Sequence, residues 1–248
     1  MKETRFFYAP EAPFTDRLPF AEAIHAMRVL RLKKGDQIIL TNGKGSLFEA
    51  LISDMGRDWC SFSITKQILQ PTTKWNGNLT IAVAPTKTME RMEWMAEKAT
   101  EIGVDNISLL LCDRSERKSA KTERLEKIVE SAIKQSQKAW KPNINPMEPF
   151  GQFVGRERQG KKYIAHCISQ LARQDLIDHL SSNPISPDEK ATILVGPEGD
   201  FSPEEVGLAI KAGYIPVSLG NERLRTETAC LVALMAFHFS QTLTNKKI

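Results

Sequence analysis

The chain has 248 residues and a mass of 27.9 kDa, with 41% hydrophobic and 26% charged side chains. This balance is typical of a globular protein and excludes collagenous, fibrous and disordered chains, and the length suits one large domain or two unequal ones. No apolar run approaches the roughly 20 residues that span a bilayer. The amino terminus has no apolar core of the signal-peptide type, so we expect a soluble protein that stays in the cytoplasm.

The charge is distributed unevenly along the chain. The net charge is +4, from 34 basic and 30 acidic residues. Basic residues outnumber acidic ones in residues 1–75 and again in residues 112–141. Two such segments are compatible with a polyanion that contacts both, and equally with an ordinary solvated surface.

The four cysteines do not indicate a metal site or a disulfide framework. Cys60, Cys112, Cys167 and Cys230 stand alone, without C-x-x-C spacing and without a nearby histidine pair. Such isolated thiols are typical of reduced, buried side chains. We therefore expect four buried thiols and no metal ion.

The first third of the chain is β-rich. The pattern predicts a helix over 19–32 and strands over 37–41, 47–53 and 59–66, forming a small barrel or sheet. A polar stretch with breakers at both ends follows over 71–78, and we expect a domain boundary there.

Three basic side chains lie within the predicted helix 19–32. They are His25, Arg28 and Arg31. They could contact a phosphate, or they could be solvated side chains of an ordinary helix, and the residues alone do not separate the two interpretations.

From residue 79 onward, strands alternate with helices. The predicted strands are 79–84, 107–111, 163–167, 192–195 and 214–219, and the predicted helices are 88–102, 122–140, 171–180, 202–213 and 226–243. Such alternation predicts a mainly parallel sheet covered by helices on both faces. The last helix is apolar nearly all round, which predicts that it packs in the core or against another subunit.

Two loops with glycine follow two of these strands. They are Val195–Phe201 and Leu219–Ala229. In an α/β sheet, ligands bind beyond the carboxyl ends of the strands, where glycine lets the backbone approach a ligand. Both loops could instead be tight turns that cap helices.

Other nucleotide and hydrolase motifs are absent from the sequence. There is no G-x-x-x-x-G-K-[ST], no G-x-G-x-x-G between a strand and a helix, and no G-x-S-x-G. ATPase, dinucleotide and α/β-hydrolase chemistry are therefore disfavoured.

The order of these motifs resembles the ribosomal RNA small subunit methyltransferase E family. The residues that carry the resemblance are Gly196-Pro197-Glu198-Gly199, Phe201-Ser202-x-x-Glu205, Leu219-Gly220, Leu224-Arg225-Thr226-Glu227-Thr228-Ala229, His25-x-x-Arg28-Val29-Leu30-Arg31, Lys98-Ala99-Thr100-Glu101-Ile102-Gly103-Val104 and Gln135-Ser136. They extend over nearly the whole chain.

The resemblance implies a fold and an activity. The fold is an amino-terminal PUA-like β-barrel (residues 1–72) that binds RNA, followed by a SPOUT α/β methyltransferase domain with a trefoil knot (residues 73–248). It implies a homodimer that binds S-adenosylmethionine and methylates N3 of a uridine in 16S rRNA, within the small ribosomal subunit. A SPOUT ribose 2′-O-methyltransferase and a non-catalytic RNA-binding protein are the alternatives.

The resemblance also implies roles for individual residues. Residues around the cofactor would be Val195, Gly196, Gly199, Leu219, Gly220, Leu224 and Thr228. Arg225 would stabilise the uridine anion, and Glu198 and Glu227 are the candidate bases, each of which could instead be a structural partner of Arg225 or of a backbone amide. RNA would be bound by His25, Arg28, Arg31, Lys118, Lys121 and Lys138. Asp200 stands where the family often has glycine.

Overall fold

The computed structural model describes residues 5–68, 79–186 and 189–245. These residues form two compact units. The first unit contains the described residues before position 75 together with Glu130–Lys141, and the second contains the other described residues. The predicted linker over 71–78, and with it the predicted division between residues 72 and 73, lies outside the described residues.

The first unit is built on a four-stranded sheet. Its strands, in sheet order, are β1 (Phe6–Tyr8), β2 (Gln37–Thr41), β3 (Leu47–Met55) and β4 (Cys60–Ile68). β1 pairs parallel to β2, and the other pairs are antiparallel. In the turn between β2 and β3, the side-chain oxygen of Asn42 accepts hydrogen bonds from the backbone N–H groups of Lys44 and Ser46, at 2.8 and 3.1 Å. The predicted β-rich unit is therefore confirmed, with β1 as an added strand.

The predicted helix over 19–32 is wrong in length and type. The α-helix α1 covers Phe20–Ile24 only, and a π-helical turn continues it over His25–Val29. In that turn the N–H of Leu30 donates to the carbonyl of His25, five residues earlier, at 3.0 Å. Arg31 then takes a φ of 51°, which ends the helix.

The second unit is a seven-stranded sheet in which every pair is parallel. The strands are β5 (Leu79–Val83), β6 (Asn106–Leu111), β7 (Asn143–Pro149), β8 (Lys161–Ala165), β9 (Gln174–Asp175), β10 (Ala191–Val195) and β11 (Ile215–Ser218), in the order β7-β6-β5-β10-β8-β11-β9. All residues of β5 and β10 are buried. Buried central strands are typical of a parallel sheet with both faces covered.

Six helices accompany this sheet in the described part of the chain. They are α2 (Met89–Ile102), α3 (Thr122–Gln135), α4 (Phe150–Gly155), α5 (Leu176–Ser182), α6 (Pro203–Lys211) and α7 (Thr226–Asn245). Apolar residues of α2, α5, α7 and the first half of α3 form the core on one face. Apolar residues of α4 and α6 form a second core on the other face. The predicted parallel α/β sheet with two covered faces is confirmed.

Local chemistry explains where several helices begin and end. At α6, the Ser202 hydroxyl accepts from the N–H of Glu205 at 3.2 Å, while the Glu205 carboxylate accepts from the N–H of Ser202 at 2.9 Å. These two reciprocal bonds form a capping box at the predicted start of the helix. Helix α3 ends at Gln135 rather than at residue 140, because Gln137 takes a left-handed φ of 53°.

Two further predictions need correction. The helix predicted over 171–180 begins only at Leu176, where the Asp175 carboxylate accepts from the N–H of Ile177 at 2.9 Å and caps it. Cys167 is exposed, not buried, because β8 ends at Ala165 and leaves Cys167 in the following loop. The other three cysteines are buried as predicted.

None of the helices in the described ranges is long and apolar enough to cross a membrane.

Candidate functional site

Two loops of the second unit begin at the same edge of the sheet. β10 ends at Val195 and leads into the Gly196 loop (residues 196–202), and β11 ends at Ser218 and leads into the Gly220 loop (residues 219–225). β8 separates the two strands in the sheet. Neighbouring strands are about 4.8 Å apart, so the loops begin about 10 Å from each other.

A buried hydrogen bond joins the Gly196 loop to the first residue of α7, directly after the Gly220 loop. The hydroxyl of Thr226, at the start of α7, donates to the carbonyl of Gly196 at 3.0 Å. The predicted cofactor-contacting residues differ in burial. Val195 and Gly196 are buried, Gly199 and Gly220 are exposed, and Leu219, Leu224 and Thr228 are half-buried.

The two loops require glycine for different reasons. A Cβ at Gly196 would lie 3.2 Å from the ring of Phe201 and 3.2 Å from its backbone nitrogen, so a side chain there would require Phe201 to shift by a few tenths of an ångström. At Gly220 there is open space where a Cβ would lie, but the φ of this residue is +103°, which other residues rarely adopt. Packing against Phe201 therefore disfavours other residue types at Gly196, whereas the backbone conformation disfavours them at Gly220.

Asp200 connects the Gly196 loop to the end of β8. It takes a φ of 63°. Its carboxylate accepts hydrogen bonds from the N–H of Phe201 and from the N–H of Cys167, each at 2.8 Å. The aspartate therefore adopts a glycine-like backbone and also links two loops, which glycine could not do.

The carboxylate of Glu198 has a backbone partner. Its Oε1 accepts from the N–H of Lys87 at 3.0 Å, in the segment between β5 and α2. Arg117 donates to the carbonyl oxygens of Thr86 and Lys87, at 3.2 and 2.5 Å, and Arg114 donates to the carbonyl of Gly199 at 3.0 Å. These contacts hold the segment after β5 and the Gly196 loop in place.

Sequence reasoning missed Arg114 and Arg117. The available signal was their position directly after β6, because the carboxyl ends of parallel strands meet at the same edge of a sheet.

Glu227 lies in the first turn of α7 and is 7% exposed. Its Oε1 is 3.8 Å from Nε of Arg91. Its Oε2 is buried and has no hydrogen-bond partner among the described residues. A carboxylate with one unused buried oxygen can accept a proton or a hydrogen bond from a ligand.

Arg225 presents its side chain to solvent. It is exposed, and its guanidinium makes no hydrogen bond or ion pair within the part of the chain that the structure describes. Its backbone carbonyl accepts from the N–H of Ala229 at 2.8 Å, which fixes the residue at the start of α7. The guanidinium is therefore available to a ligand.

His166 is a further residue at this edge that the sequence did not reveal. It follows β8, between the two loops, and is 3% exposed. Its Nδ1 accepts from the N–H of Ile168 at 3.3 Å. Burial lowers the pKa of His166, and the nearby Asp200 carboxylate opposes this only in part. The imidazole is therefore neutral near pH 7.

The predicted RNA-contacting residues lie in both units. In the first unit Arg28 and Arg31 are exposed, while His25 is half-buried with its ring edge-on to Phe7 at 6.1 Å between centroids. Lys138 of the same unit is half-buried. In the second unit Lys118 and Lys121 are exposed in the segment after β6.

Comparison with known proteins yields consistent matches. Residues 73–238 match the family described as an RNA methyltransferase domain, and residues 21–65 match the RNA methyltransferase PUA domain. The Ribosomal RNA small subunit methyltransferase E of Synechocystis sp. is 32% identical over 237 residues, which are 93% of this chain and 75% of that protein.

Two crystal structures are similar over nearly the whole chain. A probable rRNA-methyltransferase from Porphyromonas gingivalis has a TM-score of 0.88 and 43% identity, covering 97% of this chain and 99% of that one. A Ribosomal RNA small subunit methyltransferase E from Neisseria gonorrhoeae, bound to S-adenosyl methionine, has a TM-score of 0.81 and 26% identity, covering 96% and 98%. The predicted class, a SPOUT α/β domain after a PUA-like unit, is confirmed. The chain belongs to the ribosomal RNA small subunit methyltransferase E family.

Proposed function

We propose that this protein is an S-adenosylmethionine-dependent methyltransferase that modifies N3 of a uridine in 16S rRNA of the small ribosomal subunit. The observation that carries the proposal is the pair of glycine loops at one sheet edge, with the exposed guanidinium of Arg225 beside them. Support comes from the Neisseria gonorrhoeae relative, whose structure contains S-adenosyl methionine.

The residues of the two loops suit an adenosyl ligand. Leu219 and Leu224 are half-buried apolar side chains that would contact the adenine, while the exposed Gly199 and Gly220 offer backbone groups for hydrogen bonds. The unused buried oxygen of Glu227 is an acceptor for a donor group of the ligand or of the substrate. When bound, the cofactor supplies an electrophilic methyl group on a sulfonium sulfur.

At the substrate, N3 of uridine carries an imide proton that must leave before N3 bonds to carbon. Arg225 would donate hydrogen bonds to a uridine carbonyl oxygen and so stabilise the anion that remains. Glu198 and Glu227 are the candidate bases that accept the proton. Glu198 already uses one oxygen on the N–H of Lys87, whereas Glu227 has a buried oxygen without a partner among the described residues, so the geometry favours Glu227.

RNA would be held by basic side chains of both units. Arg28 and Arg31 are exposed and would bind phosphates, and Lys118 and Lys121 would do the same from the second unit. Lys138 and His25 are half-buried, so less of each side chain is accessible to RNA phosphates.

We further propose that the protein acts as a homodimer in the cytoplasm. Helices α2, α5 and α7 lie on one face of the sheet, and each carries an exposed apolar side chain: Trp94 at 45%, Ile177 at 60% and Phe239 at 61%. Exposed large apolar side chains on neighbouring helices of one face suit an interface.

The reaction is tested with labelled S-adenosylmethionine and small ribosomal subunits from a strain that lacks this gene. Nucleoside mass spectrometry is expected to show 3-methyluridine. A methyl group on the ribose would instead identify a ribose 2′-O-methyltransferase. Retained RNA binding without any methyl transfer would identify a non-catalytic RNA-binding protein.

A further inference from the structure

A row of polar residues crosses the second sheet near its amino edge. Strand register aligns one residue from each of five neighbouring strands: Asn143, Asn106, Thr80, Thr192 and Lys162. Residues aligned in this way project from the same face of a sheet. We call these five residues the polar row.

On three of these strands the same face is apolar one step further along. Two residues after Thr80, Thr192 and Lys162 come Ala82, Leu194 and Ile164, which belong to the core that α4 and α6 cover. Because side chains alternate between faces, these residues point the same way as the polar row. The change from apolar to polar therefore marks where the sheet leaves the cover of these helices.

A cavity of about 870 Å³ lies over the polar row. Its floor contains Thr80, Asn106 and Thr192 of the row, together with Ser108 and Asn145. Thr80 is 7% exposed, Thr192 5% and Ser108 2%, so these three residues are buried where they line the cavity. This volume falls within the range of small-molecule sites.

Hydrogen bonds fix the orientation of the amides on this floor. Nδ2 of Asn106 donates to the hydroxyl of Thr80 at 3.3 Å, and Nδ2 of Asn145 donates to the hydroxyl of Ser108 at 3.0 Å. An amide that is held in place loses little entropy when it binds a ligand. The floor is therefore a preorganised set of donors and acceptors.

Cationic side chains form part of the wall. The guanidinium of Arg158 lies 3.7 Å above the ring of Phe153, and its buried Nε has no hydrogen-bond partner among the described residues. Lys190 is exposed and donates to Gln159 at 3.4 Å. Arg156 also lines the cavity but is ion-paired with Glu148. Arg158 and Lys190 are thus the cations that can attract an anionic group.

We propose that this cavity binds a ribonucleotide, either free or as part of an RNA strand. The phosphate would lie against Arg158 and Lys190, and the ribose and base would contact the hydroxyls and amides of the floor, which pair with both donors and acceptors. The cavity lies at the amino ends of the strands, whereas the glycine loops lie at the carboxyl ends. The inference therefore does not depend on the proposed methyl transfer.

The test is calorimetric titration of the full-length protein with uridine 5′-monophosphate, a short single-stranded oligoribonucleotide and inorganic phosphate. The double variant Thr80→Val, Thr192→Val keeps the shape of the floor and removes two hydroxyls. We expect it to weaken ribonucleotide binding about tenfold or more, because two hydrogen bonds to the ligand are lost. Thr65→Val, on β4 of the first unit, is the matched control and should leave binding unchanged.

The arms of the experiment separate the two sources of the ribonucleotide. Binding of the monophosphate that the double variant weakens indicates a free nucleotide, and the same effect with the oligoribonucleotide alone indicates an RNA strand. The proposal is overturned if wild-type protein binds neither, if the double variant binds both as well as wild type, or if inorganic phosphate binds as tightly as the nucleotides. Binding of S-adenosylmethionine, measured in parallel, should be the same in all variants and reports that they are folded.

Discussion

The guanidinium of Arg225 is the group whose role is simplest to test. We expect Arg225→Ala to lower kcat by about 100-fold or more, because a preorganised donor to a developing anion is lost. Affinity for S-adenosylmethionine, measured by calorimetry, should stay within a few fold. Arg223→Ala, an exposed arginine of the same loop, is the control and should retain activity. Loss of cofactor binding in Arg225→Ala would make the arginine structural instead.

His166 makes the stability of the second unit depend on pH. Burial lowers its pKa below the ordinary value of 6.5, so the unfolded chain takes up a proton that the native imidazole does not. The contribution of the neutral imidazole to the free energy of unfolding is complete above about pH 6.5. It is lost as the pH falls below that value. We expect the free energy of unfolding in urea to fall less between pH 7 and pH 5 for His166→Asn than for wild type. Equal losses would show that the imidazole is protonated in the native state.

Individual residues also show what sequence alone can predict about the site. The glycine loops and the start of α6 at Ser202 follow from spacing, because turns and helix termini have strict local requirements. The role of Arg225 follows only from the family resemblance. The partners of Glu198 and Glu227 cannot be predicted from spacing. Lys87 and Arg91 are far from the two glutamates in sequence, and only the folded parallel sheet brings them into contact.

At the scale of the element, Asp200 holds the Gly196 loop in its conformation. Asp200→Gly keeps the positive φ and loses both carboxylate bonds, whereas Asp200→Ala also adds strain at that φ, by about 1 kcal/mol. We therefore expect stability in chemical unfolding to decrease from wild type to glycine to alanine. An alanine variant as stable as wild type would show that the carboxylate bonds contribute nothing.

Arg28, in the π-helical turn, and Arg31, just after it, are expected to contact RNA phosphates. Replacing both by alanine should weaken RNA binding and reduce the slope of log affinity against log salt by about 1 to 2, according to the number of counterions released. Arg57→Ala, an exposed arginine between β3 and β4, is the matched control. An unchanged slope in the double variant would remove these two arginines from the RNA surface.

Element prediction succeeded where the apolar pattern is long and failed where the element is short. Helices α2, α6 and α7 and strands β5 and β10 follow from their periodicity. β1, β9 and α4 have three, two and six residues, too few for a period to be visible. β7 contains Pro146 and Pro149 at the edge of the sheet, where proline is tolerated but the sequence suggests a loop.

At the scale of the whole molecule, the exposed side chains of α2, α5 and α7 predict a dimer interface. We expect Phe239→Ser to shift the protein from dimer to monomer in size-exclusion chromatography with light scattering, because a large apolar contact is replaced by a polar one. Leu208→Ser, on α6 at the other face of the sheet, is the control and should remain dimeric. Wild-type protein that elutes as a monomer would contradict the proposal.

The first unit is made of two chain segments that are far apart in sequence, and this affects the order in which the chain folds. Besides the residues before position 75, the unit includes Glu130–Lys141, a segment made much later during synthesis. The carbonyl of Ala139 accepts from the N–H of Gly45 at 2.8 Å, the N–H of Lys141 donates to the carbonyl of Gly43 at 2.9 Å, and Lys134 is ion-paired with the buried Glu22. The amino-terminal unit can therefore not finish folding as it emerges, and must wait until part of the following unit has been translated. Removing residues 1–74 would leave this segment without its partners, so the two units are not separable by a single cut.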